Sequence, residues 1–146
     1  MQVVLAADEH LEGLSVLFDQ YRVFYQQTSD LKSANKFLYE RLQNRDSVIF
    51  VASDQGDLVG FTQLYPSFSS VSMKRVWILN DLFVQEVHRN KEVARLLMEA
   101  AENYAKQSRA VRVVLATQIL NSAAQELYKS RGYLKDEEFY HYALRL

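Results

Sequence analysis

The sequence contains no cysteine. Disulfides, thiolate zinc sites and cysteine nucleophiles are thereby excluded, and the chain is compatible with a reducing compartment. Proline and glycine are scarce, at 1 and 4 of 146 residues, too few for long disordered linkers. No run of about 18 apolar residues occurs, so no membrane span is expected. The opening Met1-Gln2-Val3-Val4-Leu5-Ala6 lacks the charged start and long apolar run of a secretory leader, which makes the cytoplasm the expected compartment. An excess of one charge is missing too. The 17 basic and 18 acidic side chains leave a net charge of −1, whereas a nucleic-acid binder usually carries a basic surplus. His10, His88 and His141 show no metal-ligand spacing, so no metal centre is expected.

What is present suits one domain over residues 1–146, with 49% apolar and 24% charged side chains. Gln2 to Ala6 reads as a short strand. Asp8 is a candidate cap for a helix carrying Leu11, Leu14, Val16, Leu17, Tyr21 and Phe24. Ser29 or Asp30 caps a second helix with Phe37, Leu38 and Leu42. Strands over 47–52 and 58–65, joined by Asp54-Gln55-Gly56-Asp57, read as a hairpin. Pro66 is expected to end the second, because it lacks a ladder donor.

Residues 75–84 form the longest strand candidate. Plain alternation places Trp77, Leu79, Asp81 and Phe83 on one face and Ile78, Asn80, Leu82 and Val84 on the other. Residues 91–108 are the clearest helix, with Val93, Leu96, Leu97, Ala100, Ala101 and Tyr104 as its apolar stripe. Residues 111–117 follow as a core strand, and strand, helix, strand at this spacing predicts a parallel crossover. Asn121 or Ser122 caps a helix through Tyr128, and Gly132 suits its stop. Residues 133–135 and 139–144 read as closing strands. The order is βααβββαβαββ: a mixed α/β fold with a central, largely antiparallel sheet flanked by helices.

The most informative segment runs from Leu82 to Leu97. An apolar strand, Leu82-Phe83-Val84, feeds a short cationic loop and then an amphipathic helix. The first N–H groups of a helix lack intrahelical acceptors and the dipole end is positive, so this arrangement nominates a phosphate site. Arg89, Lys91 and Arg95 are candidate phosphate neighbours, and the amides from Asn90 through Glu92 and Val93 to Ala94 are the expected donors.

Three pieces together resemble the GNAT superfamily of N-acetyltransferases. Leu82-Phe83-Val84 followed by Arg89-Asn90-Lys91-Glu92-Val93-Ala94 is similar to the family's pyrophosphate loop, Arg/Gln-x-x-Gly-x-Gly/Ala. The stretch from Asn121 to Tyr133 is similar to its Asn-x-x-Ala-x-x-Leu-Tyr-x-x-x-Gly-Phe/Tyr element, and Val59-Gly60-Phe61 to its "hydrophobic-Gly-hydrophobic" strand. The pieces span about residues 46–146. Glu92 stands where the family has its first loop glycine. A glutamate there adds a side chain and a negative charge near the pyrophosphate; alternatively it occupies the first helical turn, where the dipole favours acids, and points away.

The resemblance implies acetyl-CoA as cosubstrate and a small-molecule or peptide amine as acceptor. It implies direct transfer in a ternary complex, and a homodimer wherever exposed closing strands pair. By the resemblance, Asn121 contacts the pantetheine arm, and Tyr128 lies near the CoA sulfur. A phenol can donate to a thiolate, since their pKa values of about 10 and about 8.5 are close. The competing readings are an N-cap for Asn121 and a core tyrosine packed on Tyr133 or Leu127 for Tyr128. Asp81, then Glu86, are the carboxylates nearest the expected reaction centre, able to bind an ammonium or take its proton through water; the alternative is a solvated strand-end acid. Tyr21, Tyr25, Tyr65, Phe68 and Trp77 are candidates for an acceptor pocket. A non-catalytic acyl-CoA-binding module is the main rival. A nucleotide binder is disfavoured, because neither Gly-x-x-x-x-Gly-Lys-Ser/Thr nor Gly-x-Gly-x-x-Gly occurs.

Overall fold

A computed structural model describes residues 1–89 and 92–146. The described residues fall into two units, Met1–Leu115 and Ala116–Leu146. In the first, β1 (Gln2–Leu5), β2 (Val48–Asp54), β3 (Asp57–Ser69), β4 (Lys74–Val84) and β5 (Arg112–Val114) form one sheet in sequence order. Neighbours are antiparallel except β4 and β5, which run parallel as a strand-helix-strand crossover requires. The helices are α1 (Leu11–Phe24), α2 (Leu31–Asn44) and α3 (Val93–Gln107). Among the described residues no helix is long and apolar enough to cross a membrane.

Two apolar layers cover the sheet. On one face Leu14, Leu17 and Phe18 of α1 and Leu38 of α2 bury Val51, Phe61 and Phe83. On the other, Val93 and Leu97 of α3 pack on Phe50, Ala52, Val59 and Val84, with Leu82 beside them. Local chemistry agrees with the sequence at α2, where the Asp30 carboxylate accepts from the Ser33 amide at 3.1 Å. It differs at the first helix. Ala7, not Asp8, caps a short 3-10 turn over Asp8–His10, and the Ala7 amide donates to His10 Nδ1.

Two register shifts decide which way side chains point. The pairs Ala52↔Gly60 and Ser53↔Leu58 leave Val59 as an extra residue in β3. The pairs Gln63↔Asp81 and Leu64↔Leu79 leave Asn80 as an extra residue in β4. A bulge of one residue reverses the alternation beyond it. The common face expected for Trp77, Leu79, Asp81 and Phe83 is therefore split. Phe83 faces α1, against Tyr21 and Phe61. Trp77 instead lies against Tyr104 of α3 and donates its indole N–H to Ser108 Oγ at 2.8 Å.

Pro66 does not end β3, which runs on to Ser69. β2 pairs with β3 only as far as Leu64, so at Pro66 the strand has β4 as its single neighbour, and the missing donor is tolerated there as on an edge. Gly60 is placed by close approach. A Cβ on it would meet the Phe83 carbonyl oxygen at 2.8 Å and Leu97 Cδ1 at 3.3 Å.

The second unit holds α4 (Ser122–Ser130). Asn121 caps it, its side-chain oxygen accepting from the Ala124 amide at 3.1 Å. At the other end Gly132 has φ +90°, and the Gly132 and Tyr133 amides donate to the Lys129 and Tyr128 carbonyls. That is the left-handed stop expected at Gly132. The described residues 133–146 carry no strand, where two closing strands were expected. A strand exists only through a hydrogen-bonded neighbour, and this stretch has instead local contacts such as Asp136 with His141 and the Glu138 amide.

Candidate acetyl-CoA and amine site

β4 outruns its parallel partner. The β5 ladder covers Val76 to Ile78 only, while β4 continues through the Asn80 bulge to Val84. The two strands thus part where β4 is already distorted. From Val84 the chain passes a 3-10 turn, Glu86–His88, and enters α3 at Val93. Leu82, Val84, Val93 and Ala94 turn their side chains into the α3 layer, leaving their backbone to serve the loop.

The first intrahelical bond at this end runs from the Leu96 amide to the Glu92 carbonyl at 3.0 Å. The amides of Val93, Ala94 and Arg95 precede it and so have no helical acceptor. The Glu92 side chain caps none of them. Glu92 is the N-cap residue and has φ 66° and ψ 5°, the left-handed conformation that glycine adopts without cost. The backbone thus takes a glycine-like shape although the residue is glutamate. Its carboxylate accepts from Arg95 at 3.1 Å, and Arg95 also bonds Glu99 at 3.2 Å. The acid thus precedes the first turn rather than sitting within it, and its exposed carboxylate is held by a cation of that turn.

Arg89 is committed differently. Its Nε donates to the Val84 carbonyl at 2.9 Å, and its guanidinium lies 5.3 Å from the Phe24 ring centre and 5.6 Å from that of Phe83. It pins the loop to the strand it leaves. His88 has its Nδ1 buried, with no partner among the described residues. Asn90 and Lys91, expected as phosphate neighbours, lie outside the described residues.

A polar cluster lies on the α1 face of the bulge. Asp81 is 5% exposed, so it is no solvated strand-end acid. Its carboxylate accepts from Gln63 Nε2 at 2.8 Å and Asn80 Nδ2 at 3.1 Å. Gln63 Nε2 also donates to the Tyr65 hydroxyl at 3.2 Å, while its Oε1 is buried with no partner among the described residues. Tyr21 lies beside Asp81 and packs edge-on against Tyr25 at 5.1 Å. Burial first, then the nearby Asp81 carboxylate, push the Tyr21 phenol well above its usual range. Burial, then Asp81, push Tyr65 up to about 12. Both phenols stay protonated at any working pH.

Of the five aromatic candidates, Tyr21 and Tyr65 lie at Asp81, and Tyr25 packs on Tyr21. Trp77 belongs to the α3 face, and Phe68 is exposed under Arg75. Gln63 was missed from sequence; its signal was a long amide inside the otherwise buried run Val59 to Leu64. A groove of about 450 Å³ adjoins the cluster through Phe83, with Phe24, Glu86, Val87 and Arg89 among its walls. In the second unit, Tyr128 is half-buried and tilts against Tyr133 with ring centres 6.2 Å apart.

Comparison with known proteins agrees with this geometry. The family model described as "Acetyltransferase (GNAT) family" matches residues 13–133. The "Uncharacterized N-acetyltransferase YhfO" of Bacillus subtilis (strain 168) is 47% identical over 146 residues, covering 100% of this chain and 98% of that protein. A crystal structure of a probable acetyltransferase superposes with a TM-score of 0.95 at 47% identity, over 100% of this chain and 98% of the other. The structure of AAC(6')-Iy in complex with the bisubstrate analog CoA-S-monomethyl-acetylneamine shares the fold, with a TM-score of 0.82 at 20% identity over 99% and 98% of the two chains.

Proposed function

The chain belongs to the acetyltransferase (GNAT) family, and on that premise we propose that it moves an acetyl group from acetyl-CoA to a primary amine by direct transfer in a ternary complex. The observation that carries this reading is the start of α3, where three amides without helical acceptors follow the left-handed Glu92. Acetyl-CoA supplies an activated acyl group on a thiol leaving group.

The chain's own residues do the rest. The Val93, Ala94 and Arg95 amides bind phosphate oxygens as fixed dipoles. The bulged backbone of β4 offers an N–H donor to the oxygen that becomes negative as the amine nitrogen bonds to the carbonyl carbon. The Asp81 cluster receives the amine and the proton it sheds. As the carbon–sulfur bond breaks, the Tyr128 phenol donates its proton to the departing thiolate, a role supported by its place in the Asn121–Tyr133 motif. Holding both reactants makes the attack effectively intramolecular.

The test is calorimetric titration with acetyl-CoA against CoA, ATP and NAD, followed by amine-dependent release of CoA thiol. Micromolar acetyl-CoA binding with amine-dependent release is the expected result. A folded protein that binds no acetyl-CoA overturns the reading. Glu92 motivates a second one, a module that binds acyl-CoA without turnover, because an acid occupies the residue that precedes the phosphate-binding amides. Acetyl-CoA binding with no release across a broad amine panel decides for it.

A further inference from the structure

The unassigned surface beside the Asp81 cluster has a definite chemistry. Phe83 is two residues from Asp81 on the same strand face and forms a wall of the groove. Around it the groove is apolar and open: Phe24 is 48% exposed, Val23 46% and Val87 75%. Exposed apolar side chains gathered around a concavity mark a site that gains by covering them. The acids at hand are Asp81, buried among its donors, and Glu86 on the groove wall. Arg89 is the one cation among the described residues lining the groove. Its Nε is bonded to the Val84 carbonyl and its face lies over Phe24 and Phe83, so it is part of the wall.

We propose that the acceptor is a primary amine on an apolar body that carries no carboxylate. Its nitrogen meets Asp81 and the Tyr21 and Tyr65 hydroxyls, and its body lies against Phe24, Phe83 and Val87. This rests on the acetyl-transfer reading above and narrows its acceptor. A polyamine would strand further charges against Phe24 and Val87, where desolvating a charge is costly. An amino acid would bring its carboxylate toward the Glu86 carboxylate on the groove wall, a like-charge approach.

The experiment compares 2-phenylethylamine, hexylamine, phenylalanine and spermidine, both as acetyl acceptors and as ligands by calorimetry. The two apolar amines are expected to have the higher kcat/KM. F24A, at the exposed last turn of α1, should lower kcat/KM for 2-phenylethylamine, measured at saturating acetyl-CoA, by about tenfold, the value of partly burying one ring. V87S is a second variant on a separate element and should act in the same direction. Preference for spermidine or phenylalanine, or indifference to both variants, overturns the proposal. Calorimetry separates it from the parent reading. A protein that binds 2-phenylethylamine but not acetyl-CoA loses the transferase reading and keeps the groove assignment. One that binds acetyl-CoA but neither binds nor acetylates 2-phenylethylamine does the reverse.

Discussion

The Glu92 carboxylate lies 3.1 Å from the Arg95 guanidinium at the start of α3, while the Glu92 backbone is left-handed at φ 66°. One residue thus bears a conformational cost suited to glycine and also neutralises a cation of the first helical turn. The left-handed conformation costs an L-residue about 1 kcal/mol or more. An exposed ion pair returns up to about 1 kcal/mol, so the two effects nearly cancel in stability. They do not cancel toward an anionic ligand.

Glu92→Gly should leave the melting temperature almost unchanged and tighten CoA binding about fivefold. That factor corresponds to removing about 1 kcal/mol of like-charge repulsion across about 4 Å of water-like medium. Calorimetry on both proteins reads it. Weaker binding in the variant would show that the carboxylate helps, through the position it imposes on Arg95.

Tyr128→Phe should reduce kcat about a hundredfold, the usual worth of a positioned proton donor, and leave the CoA dissociation constant nearly unchanged. Steady-state rates with the best amine, paired with CoA titration, provide the comparison. An unchanged kcat removes the phenol from proton transfer and leaves its packing on Tyr133 as its role.

Asp81→Asn should release the two phenols toward the ordinary tyrosine value of 10.0. In the native protein their pKa values are raised, so the folded chain keeps protons that the unfolded chain gives up. Their contribution is complete below about pH 10 and is lost as pH climbs through the Tyr65 value of about 12. Ultraviolet titration of the phenolates, run beside alkaline melting curves, should show the variant ionising at lower pH. Coincident titrations would mean that burial alone holds the protons.

Gly60→Ala should destabilise the fold by about 1–3 kcal/mol, because overpacking forces the backbone to move. The new methyl would stand 2.8 Å from the Phe83 carbonyl oxygen, and neither strand can yield without shifting β3 against β4. Urea denaturation measures the loss. A variant as stable as the parent would show that Leu97 and Val84 make room and that the ladder is softer than its contacts imply.

The types of the elements were legible because each is written in a local period. The stripe of α3 recurs at helical spacing and is buried as expected at Val93, Leu97 and Ala101. The Asp30 and Asn121 caps and the Gly132 stop follow from local side-chain chemistry. The opposite faces of Trp77 and Phe83 were not legible. Alternation holds along a strand only while its register holds, and the Asn80 bulge exists only in the pairing of β4 with β3.

The sequence alone thus determined the order of elements from β1 to α4, the family through three spaced motifs, and the strand-loop-helix unit where phosphate can bind. Tertiary structure decided what the charged and aromatic residues of that unit do. Arg89 bonds the strand behind it, Arg95 is held by Glu92 and Glu99, and Asp81 is buried among Gln63, Asn80 and Tyr21. The reason is physical: a helix or strand period is carried by neighbours along the chain, whereas the partner of a charge or a ring is whatever the register and packing of distant segments bring within a few ångströms.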